Sequence, residues 1–445
     1  MDGRFFLFVS GKLGIYHTRL QITNKMGLAV EVPREIGYYE SLCTMGGFFV
    51  RARGNKKFKN AIMRAFFLCA LAAAAAAYIY VDRTHSQANA KDTFVFTETE
   101  VKFPYSFLDM ASAYTNGNKY FYLSTRDGVK YVSSAGAVKW DLTYSMADPV
   151  MKGRGEYAAV CDNKGFAFYM LGPAGPVYER KFDHPILFFT VNARGDAGVL
   201  LSEDGEYRLI VLNVLGETIL EYVHADADNI PLCIDVAEDG RIAAVSFLDI
   251  GNIRPSSRIV FMYTSEEGKN YSRTFIGGVE CPDLFVAYIY FVAGNRLLYL
   301  SESEIAVVNV ESAGGASVAR RMALSNKIDA FTLTGGKGFA VSYGEALSGR
   351  RNAAPAGALE IYNLDLNLTG AYNGEKFTYL NGTADYLIAA DGRNCKAFNI
   401  KGALLWEYAS PAEARKFMLL EANANNILLM TNTGASVIRR SKAAS

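Results

Sequence analysis

The chain has 445 residues, half of them hydrophobic, and its 46 Lys and Arg residues nearly balance its 45 Asp and Glu residues. This balance hides an asymmetry. Residues 1–64 carry 11 basic and 4 acidic residues, a formal +7, whereas the remainder carries 35 and 41, a formal −6. An acidic body lacks the basic footprint that phosphate binding requires, so nucleic acid is excluded as a partner. The length predicts two or three organisational units.

The first predicted unit is a segment at residues 1–60 that becomes basic towards its end. Its opening stretch, "RFFLFVSGKLGIYHTRLQI", is compatible with short strands around a Gly-Lys turn. Met45 begins a second stretch that resembles an ordinary membrane-protein start, "MGGFFVRARGNKKFKN", so the true start is open between Met1 and Met45. We assign no function to residues 1–44.

A transmembrane helix is predicted at residues 61–81. Ala65 to Val81 form 17 residues without a charge, and as a helix they span roughly 26 Å. A hydrocarbon core is about 30 Å thick, so residues 61–64 complete the span, with Arg64 reaching the headgroups. Basic residues cluster before the span, which by the positive-inside rule predicts a cytoplasmic N-terminus and an external C-terminal body.

Two alternatives to an anchor are open. A cleaved signal peptide needs a small-residue site, and Ala88-Asn89-Ala90 supplies one, but roughly 60 residues precede the apolar run, which is long for a signal. A buried core helix is the other alternative, although a basic cluster next to an all-apolar helix is unusual in a soluble core. In the anchored interpretation residues 82–92 are a linker.

Residues 93–445 are predicted to form an all-β, eight-bladed β-propeller. Short apolar runs recur between Gly, Asn and Asp turns, and the turn before each second strand repeats at a mean interval of 44 residues. Four-stranded propeller repeats have periods of about 40 to 50 residues. The marker residues of these turns are Gly117, Gly155, Gly195, Gly240, Gly294, Gly335, Gly382 and Asn425.

The eighth repeat has three strands of its own, and Thr93–Val101 has no repeat of its own. We therefore expect Thr93–Val101 to pair with Ala435–Arg440, which closes the ring and removes an exposed sheet edge. Seven blades are the alternative count. Stacked β-sandwiches are the alternative fold, but they would need linkers, and no Pro/Ser-rich linker occurs.

Three repeats place a large apolar residue four positions after a turn glycine, in "YVSSAGAVKWDL", "LNVLGETILEY" and "FNIKGALLWEY". The pairs are Gly136 with Trp140, Gly216 with Leu220, and Gly402 with Trp406. These stretches resemble the G-x-x-x-W repeats of quinoprotein-like eight-bladed propellers, and the resemblance implies that the aromatic residue docks one blade against the next. The layout of basic head, single span and external propeller resembles an uncharacterised bacterial membrane-anchored family, domain of unknown function 5711, which implies no known activity.

No catalytic, cofactor or metal constellation emerges from the sequence. The six cysteines form no C-x-x-C pair, and the four in the body are expected to be free and buried. His224, Asp226 and Asp228 in "HADAD" could converge on a metal, but they lie in a connection where such residues are ordinarily solvated. "SSAGAVKW" matches a sialidase-type turn only in its Ser and Trp, and nucleophile-elbow and phosphate-loop motifs are absent.

Two repeats have long connections between their second and third strands, Leu248–Arg258 and Gly344–Gly357. Both should rise from the same face of the ring, where loops on a rigid scaffold concentrate binding function. Their guanidinium groups suit bidentate capture of carboxylate or phosphate, so an anionic partner is a hypothesis. The candidate residues are Arg254, Arg258, Arg350 and Arg351.

The expected protein is a single-pass membrane protein that displays its propeller outside the cell. We expect a non-enzymatic binding or scaffold module at the cell envelope, with no cofactor, whose partner is an anionic envelope polymer or another envelope protein. The alternative is a propeller hydrolase or lyase that acts on cell-surface glycans. Convergent charged groups in the central channel would favour the enzyme, and an apolar, plugged channel would favour the scaffold.

Overall fold

The computed structural model describes residues 5–11, 14–23, 27–31 and 94–442, the last range with gaps at 204, 252–253, 265–273, 312–314, 348–354, 356 and 422–423. The chain divides into two compact units, residues 1–83 and 84–445. Within the described ranges, no helix has the length and apolar character needed to cross a membrane. The predicted span at 61–81 and the predicted linker at 82–92 lie outside those ranges.

The first unit contains a three-stranded antiparallel sheet in the order β1-β2-β3. Its strands are β1 (Phe5–Gly11), β2 (Gly14–Thr23) and β3 (Gly27–Glu31). Gly11 pairs with Gly14, so β1 and β2 form a tight hairpin. The predicted short strands are confirmed, and Lys12 of the predicted turn lies outside the described residues.

The second unit is a ring of eight four-stranded antiparallel sheets. The first strand of each blade is innermost and the fourth is outermost. Blade 1 contains β5 (Ser112–Thr115), β6 (Tyr120–Thr125), β7 (Gly128–Ser133) and β8 (Val138–Thr143), and blade 2 contains β9 (Pro149–Arg154), β10 (Tyr157–Asp162), β11 (Ala167–Gly172) and β12 (Gly175–Lys181). Blade 3 contains β13 (Ile186–Val191), β14 (Ala197–Glu203), β15 (Glu206–Leu212) and β16 (Thr218–His224), and blade 4 contains β17 (Asn229–Val236), β18 (Ile242–Asp249), β19 (Ser256–Tyr263) and β20 (Phe275–Cys281).

Blades 5 to 8 follow the same plan. Blade 5 contains β21 (Val286–Phe291), β22 (Arg296–Ser301), β23 (Glu304–Glu311) and β24 (Gly315–Ala323), and blade 6 contains β25 (Asn326–Leu333), β26 (Gly338–Ala346), β27 (Leu359–Asn363) and β28 (Leu368–Tyr372). Blade 7 contains β29 (Tyr379–Gly382), β30 (Tyr386–Asp391), β31 (Asn394–Asn399) and β32 (Leu404–Ala409), and blade 8 contains β33 (Ala414–Leu419), β34 (Asn426–Thr431), β35 (Gly434–Lys442) and β4 (Phe94–Pro104). A short 3-10 turn, Phe107–Asp109, leads from β4 into blade 1.

Blade 8 joins the two ends of the ring. Its outermost strand is β4, which pairs antiparallel with β35 from Phe94 opposite Lys442 to Pro104 opposite Gly434. The predicted closure by the N-terminal strand is therefore confirmed. The count is eight blades, and the alternative of seven is excluded.

Turn glycines allow the hairpins to be tight. Gly117 and Gly155, which precede the second strands of blades 1 and 2, have φ angles of +78° and +60°. A side chain disfavours this left-handed region, so the recurring glycine is a backbone requirement. This explains why turn spacing alone predicted the repeat.

The core lies between neighbouring blades. Trp406 of blade 7 is buried with Phe417 and Ile438 of blade 8, and Trp140 packs into the layer between blades 1 and 2. Both tryptophans thus dock one blade against the next, as the resemblance to quinoprotein-like repeats implied. The four cysteines of this unit, Cys161, Cys233, Cys281 and Cys395, are free and buried, as expected.

Candidate binding face and central channel

The two faces of the ring carry different connections. Because successive strands alternate in direction, the connections between second and third strands share one face with those that lead from one blade to the next. We call this the upper face, and the opposite one the lower face. The two long connections lie between β18 and β19 and between β26 and β27. Both belong to the upper face, as predicted.

Of the four arginines predicted to bind an anion, the structure describes two, and each of these lies next to a carboxylate. Arg254 is 80% exposed, and its Nη1 lies 3.7 Å from a carboxylate oxygen of Asp283. Arg258 lies in β19, and its Nε donates a 2.6 Å hydrogen bond to Glu280. Arg350 and Arg351 lie outside the described residues. Each described arginine thus already faces a carboxylate, and an anionic ligand would have to compete with it.

Exposed aromatic side chains concentrate on the upper face. Phe107 lies in the turn before blade 1, Phe166 between β10 and β11, and Phe285 just before β21, and these rings are 43–60% exposed. Tyr288, near the upper end of β21, is 52% exposed. The large apolar side chains exposed at or next to lower-face connections in the described residues are mainly aliphatic, namely Val138, Val177, Leu215 and Leu368, and Phe275 at the start of β20 is the aromatic exception. Aromatic residues are enriched at protein interfaces, so this asymmetry marks the upper face.

Irregular inner strands shape the upper mouth of the central channel. The innermost strands of blades 3, 4, 5, 6 and 8 each break register with the second strand near their upper ends. β-Bulges redirect side chains and recur at barrel rims and next to functional sites. The residues skipped in the pairing are Leu187, Leu232, Ala287, Lys327, Asp329 and Arg415. The skipped residues are therefore apolar in blades 3 to 5, one basic and one acidic in blade 6, and basic in blade 8.

A pocket of about 440 Å³ lies between the outer strands of blades 3 and 4 and opens near the upper face. Tyr222 and His224 of β16 form one side, and Phe247, Arg258 and Glu280 are on the other. Gly277 and Gly278 of β20 also line it, and a Cβ at Gly278 would lie 3.9 Å from Cγ of Arg258. The pocket thus brings Arg258 together with His224 and Asp226 of the "HADAD" segment.

At this pocket, the polar side chains of the "HADAD" segment form local hydrogen bonds. His224 Nε2 lies 2.7 Å from the carbonyl oxygen of Asn229, and Asp226 accepts hydrogen bonds from the Asn229 side chain and the Asp228 amide. These bonds hold the pKa of Asp226 below its ordinary value, with the Asn229 amide as the largest cause. Within the described residues, no group of three or more His, Cys, Asp or Glu side chains is arranged to hold a metal ion.

A charged cluster closes the lower end of the channel between blades 2, 4 and 5. Arg154, at the lower end of β9, contacts Asp235 of β17 at 3.2 Å and Glu238 at 3.3 Å. Its Nη1 also lies 3.4 Å from the carbonyl oxygen of Phe291. Burial lowers the pKa of Arg154, but the two carboxylates outweigh it and the net pKa is raised. Arg154 is thus held as a cation.

The acidic members of this cluster are fully bonded. Asp235, 1% exposed, accepts hydrogen bonds from the Thr190 hydroxyl at 2.7 Å and the Phe291 amide at 2.6 Å, besides its contact with Arg154. The second oxygen of Glu238 accepts a bond from the Ala193 amide at 3.0 Å. Each carboxylate oxygen thus already accepts at least one hydrogen bond or ion-pair contact, an arrangement suited to fixing the blades together.

Lys152 lies in β9 two residues before Arg154, closer to the upper face. Its Nζ is 3.4 Å from the centroid of the Phe188 ring and donates a 3.0 Å hydrogen bond to the Phe189 carbonyl. Burial lowers the pKa of Lys152 to about 8. The ammonium group of Lys152 thus forms a cation–π contact between blades 2 and 3, and it loses its proton more readily than that of an ordinary lysine.

Sequence reasoning missed the channel cluster, the pocket and the aromatic face. Arg154 and Asp235 are 81 residues apart, and no local pattern joins them. The aromatic face did leave a signal, because Phe166 follows Gly165, and Phe285 comes shortly after Pro282 and Asp283, which are turn-forming residues.

Comparisons with known proteins identify one matching family. Residues 92–439 match the model described as "Family of unknown function (DUF5711)". A search of curated proteins finds no match. Among solved structures, BamB from Moraxella catarrhalis is 12% identical, with a TM-score of 0.45 over 78% of this chain and 100% of its own. Sqt1 from Chaetomium thermophilum is 10% identical, with a TM-score of 0.46 over 79% of this chain and 99% of its own. No functional argument rests on these likenesses.

Proposed function

The chain belongs to the DUF5711 family of unknown function, and from that premise we propose that it is a non-enzymatic binding or scaffold module of the cell envelope. In this proposal residues 61–81 form a single-pass anchor, residues 1–60 are cytoplasmic and the propeller is external. The basic cluster before residue 65 and the acidic body after it support this orientation.

The observation that carries the binding role is the concentration of exposed aromatic side chains on the upper face. Phe107, Phe166, Phe285 and Tyr288 all lie on the upper face or at the upper mouth of the channel. Such rings contribute large contact areas with few rotatable bonds, which is why they dominate binding hot spots. A partner protein that covers this face would remove them from water.

The alternative, a glycan hydrolase or lyase, depends on convergent charged groups in the channel. Such groups are present, but Asp235 and Glu238 already accept bonds at both carboxylate oxygens, from Arg154 and from backbone and hydroxyl donors. Proton transfer needs a carboxyl oxygen within reach of substrate. The arrangement of this cluster therefore supports the scaffold over the enzyme.

Site-specific photo-crosslinking in the producing cells tests the proposed role. A photoreactive residue is placed at Phe166, Phe285 or Tyr288 on the upper face, and at Leu215 or Leu368 on the lower face as controls of similar exposure. We expect discrete crosslinked products from the upper-face positions and none from the controls. Products only from the lower face, or from neither face, would contradict the proposed binding face.

A further inference from the structure

We propose that the pocket between blades 3 and 4 receives a lysine or arginine side chain from a basic segment of a partner protein. The inference rests on the proposed binding role and names the chemistry of the partner. It concerns the space between β16 and β18 to β20, which extends from the connection at residues 225–228 on the upper face towards Phe275 at the lower end of β20.

Four aromatic side chains line the pocket. Tyr222 meets Phe275 edge to face, with ring centroids 5.2 Å apart, and His224 packs 4.7 Å from Phe247. Phe275 is 43% exposed although it lies in a strand. Aromatic faces attract cations, and the long stems of lysine and arginine pack well against apolar surface.

A carboxylate without a cationic partner stands at the mouth. The hydrogen bonds described for Asp226 come from neutral donors, the Asn229 side chain and the Asp228 amide. No Lys or Arg in the described ranges forms an ion pair with this exposed side chain. Asp228, two residues further along the same connection, is also exposed. The mouth therefore carries negative charge that the protein itself does not neutralise.

The opposite wall shows that a guanidinium fits against this surface. Arg258 lines the pocket and bonds Glu280 at 2.6 Å, so these two charges cancel. What remains is the unneutralised charge at Asp226 and Asp228 beside four rings. A second cation with an apolar stem complements this arrangement, whereas an anion would meet Asp226 and a neutral sugar would leave the charge unpaired.

The test uses the full-length protein and a fluorescently labelled short peptide that alternates arginine and phenylalanine. A peptide that alternates glutamate and phenylalanine and a chitin oligosaccharide serve as competitors. The variants are Asp226→Asn and Phe275→Ala, with Glu217→Gln as the matched control. Glu217 is an exposed acid on the same blade as the Asp226 wall, but on the lower face. Unchanged melting temperatures verify that each variant is folded.

We expect the arginine peptide to bind, to weaken as salt is raised, and to bind about three- to tenfold more weakly to Asp226→Asn and to Phe275→Ala than to the parent. Glu217→Gln should bind as the parent does. Preferential binding of the glutamate peptide, displacement by the oligosaccharide, or equal binding to all variants would overturn the inference. Crosslinking from the upper face would then still support the proposed function, so the two failures are distinguishable.

Discussion

The Arg154–Asp235 cluster gives the sharpest stability prediction. Asp235 is 1% exposed and accepts bonds from Thr190, Phe291 and Arg154. Asp235→Asn keeps the shape of the side chain but removes its charge and turns one acceptor into a donor that faces other donors. Breaking one side of a buried pair costs about 3–5 kcal/mol because the remaining charge is uncompensated. We expect a loss of that size in the free energy of unfolding.

The measurement is urea unfolding followed by the fluorescence of Trp140 and Trp406, which lie in blades 1 and 7. Asp365→Asn is the control, since Asp365 is 61% exposed and pairs with Arg296 at the surface, and it should cost about 1 kcal/mol or less. Arg154→Met combined with Asp235→Asn should cost less than the sum of the two single changes, because the pair is coupled. An Asp235→Asn protein within about 1 kcal/mol of the parent, or strict additivity, would refute the assigned role.

Three further predictions follow from other parts of the chain. The lowered pKa of Lys152, about 8 against an ordinary 10.5, means that the unfolded chain binds more protons between these values, so stability should rise with pH from about 8 to 10.5, and Lys152→Met should lose this rise in unfolding experiments. Deleting residues 92–100 removes most of the pairing of β4 with β35 and should lower the melting temperature and cause aggregation, whereas parent-like behaviour would argue against closure. Replacing Arg51, Arg53, Lys56, Lys57 and Lys59 by Glu should reduce correct insertion in a protease-protection assay, and unchanged insertion would argue against the predicted anchor.

Much of the fold could be predicted because it follows from local chemistry. A tight hairpin needs a residue tolerant of positive φ, so Gly117 and Gly155 report turns directly. The unmatched strand near Thr93 and the short last repeat identified the closing pair before any contact was known. The long connections and their shared face followed from the same repeat logic.

The sites could not be predicted with the same success because they join distant residues. The partners of Arg154 come from blades 4 and 5, and the pocket combines Tyr222 with Glu280 across two blades. An ion pair within the protein also reduces the charge that an arginine can offer to a ligand. Arg254 and Arg258 suggested an anion site by sequence, but Asp283 and Glu280 beside them leave less free positive charge than the count implied. The anionic-partner hypothesis stays a prediction, tested by changing the described arginines to Ser and measuring retention on cell-wall material at two salt concentrations.

Differential thiol labelling tests the central claim, an external propeller with a covered upper face, most directly. Single cysteines replace Ile250 or Phe285 on the upper face and Leu215 or Leu368 on the lower face. Cys43 and Cys69 are changed to Ser, and the four buried thiols remain. An impermeant reagent is applied to intact cells and to purified protein. The account predicts that all four positions react on intact cells, and that only the upper-face positions react more slowly there than in the purified protein. Labelling that requires lysis, or equal protection of both faces, would contradict it.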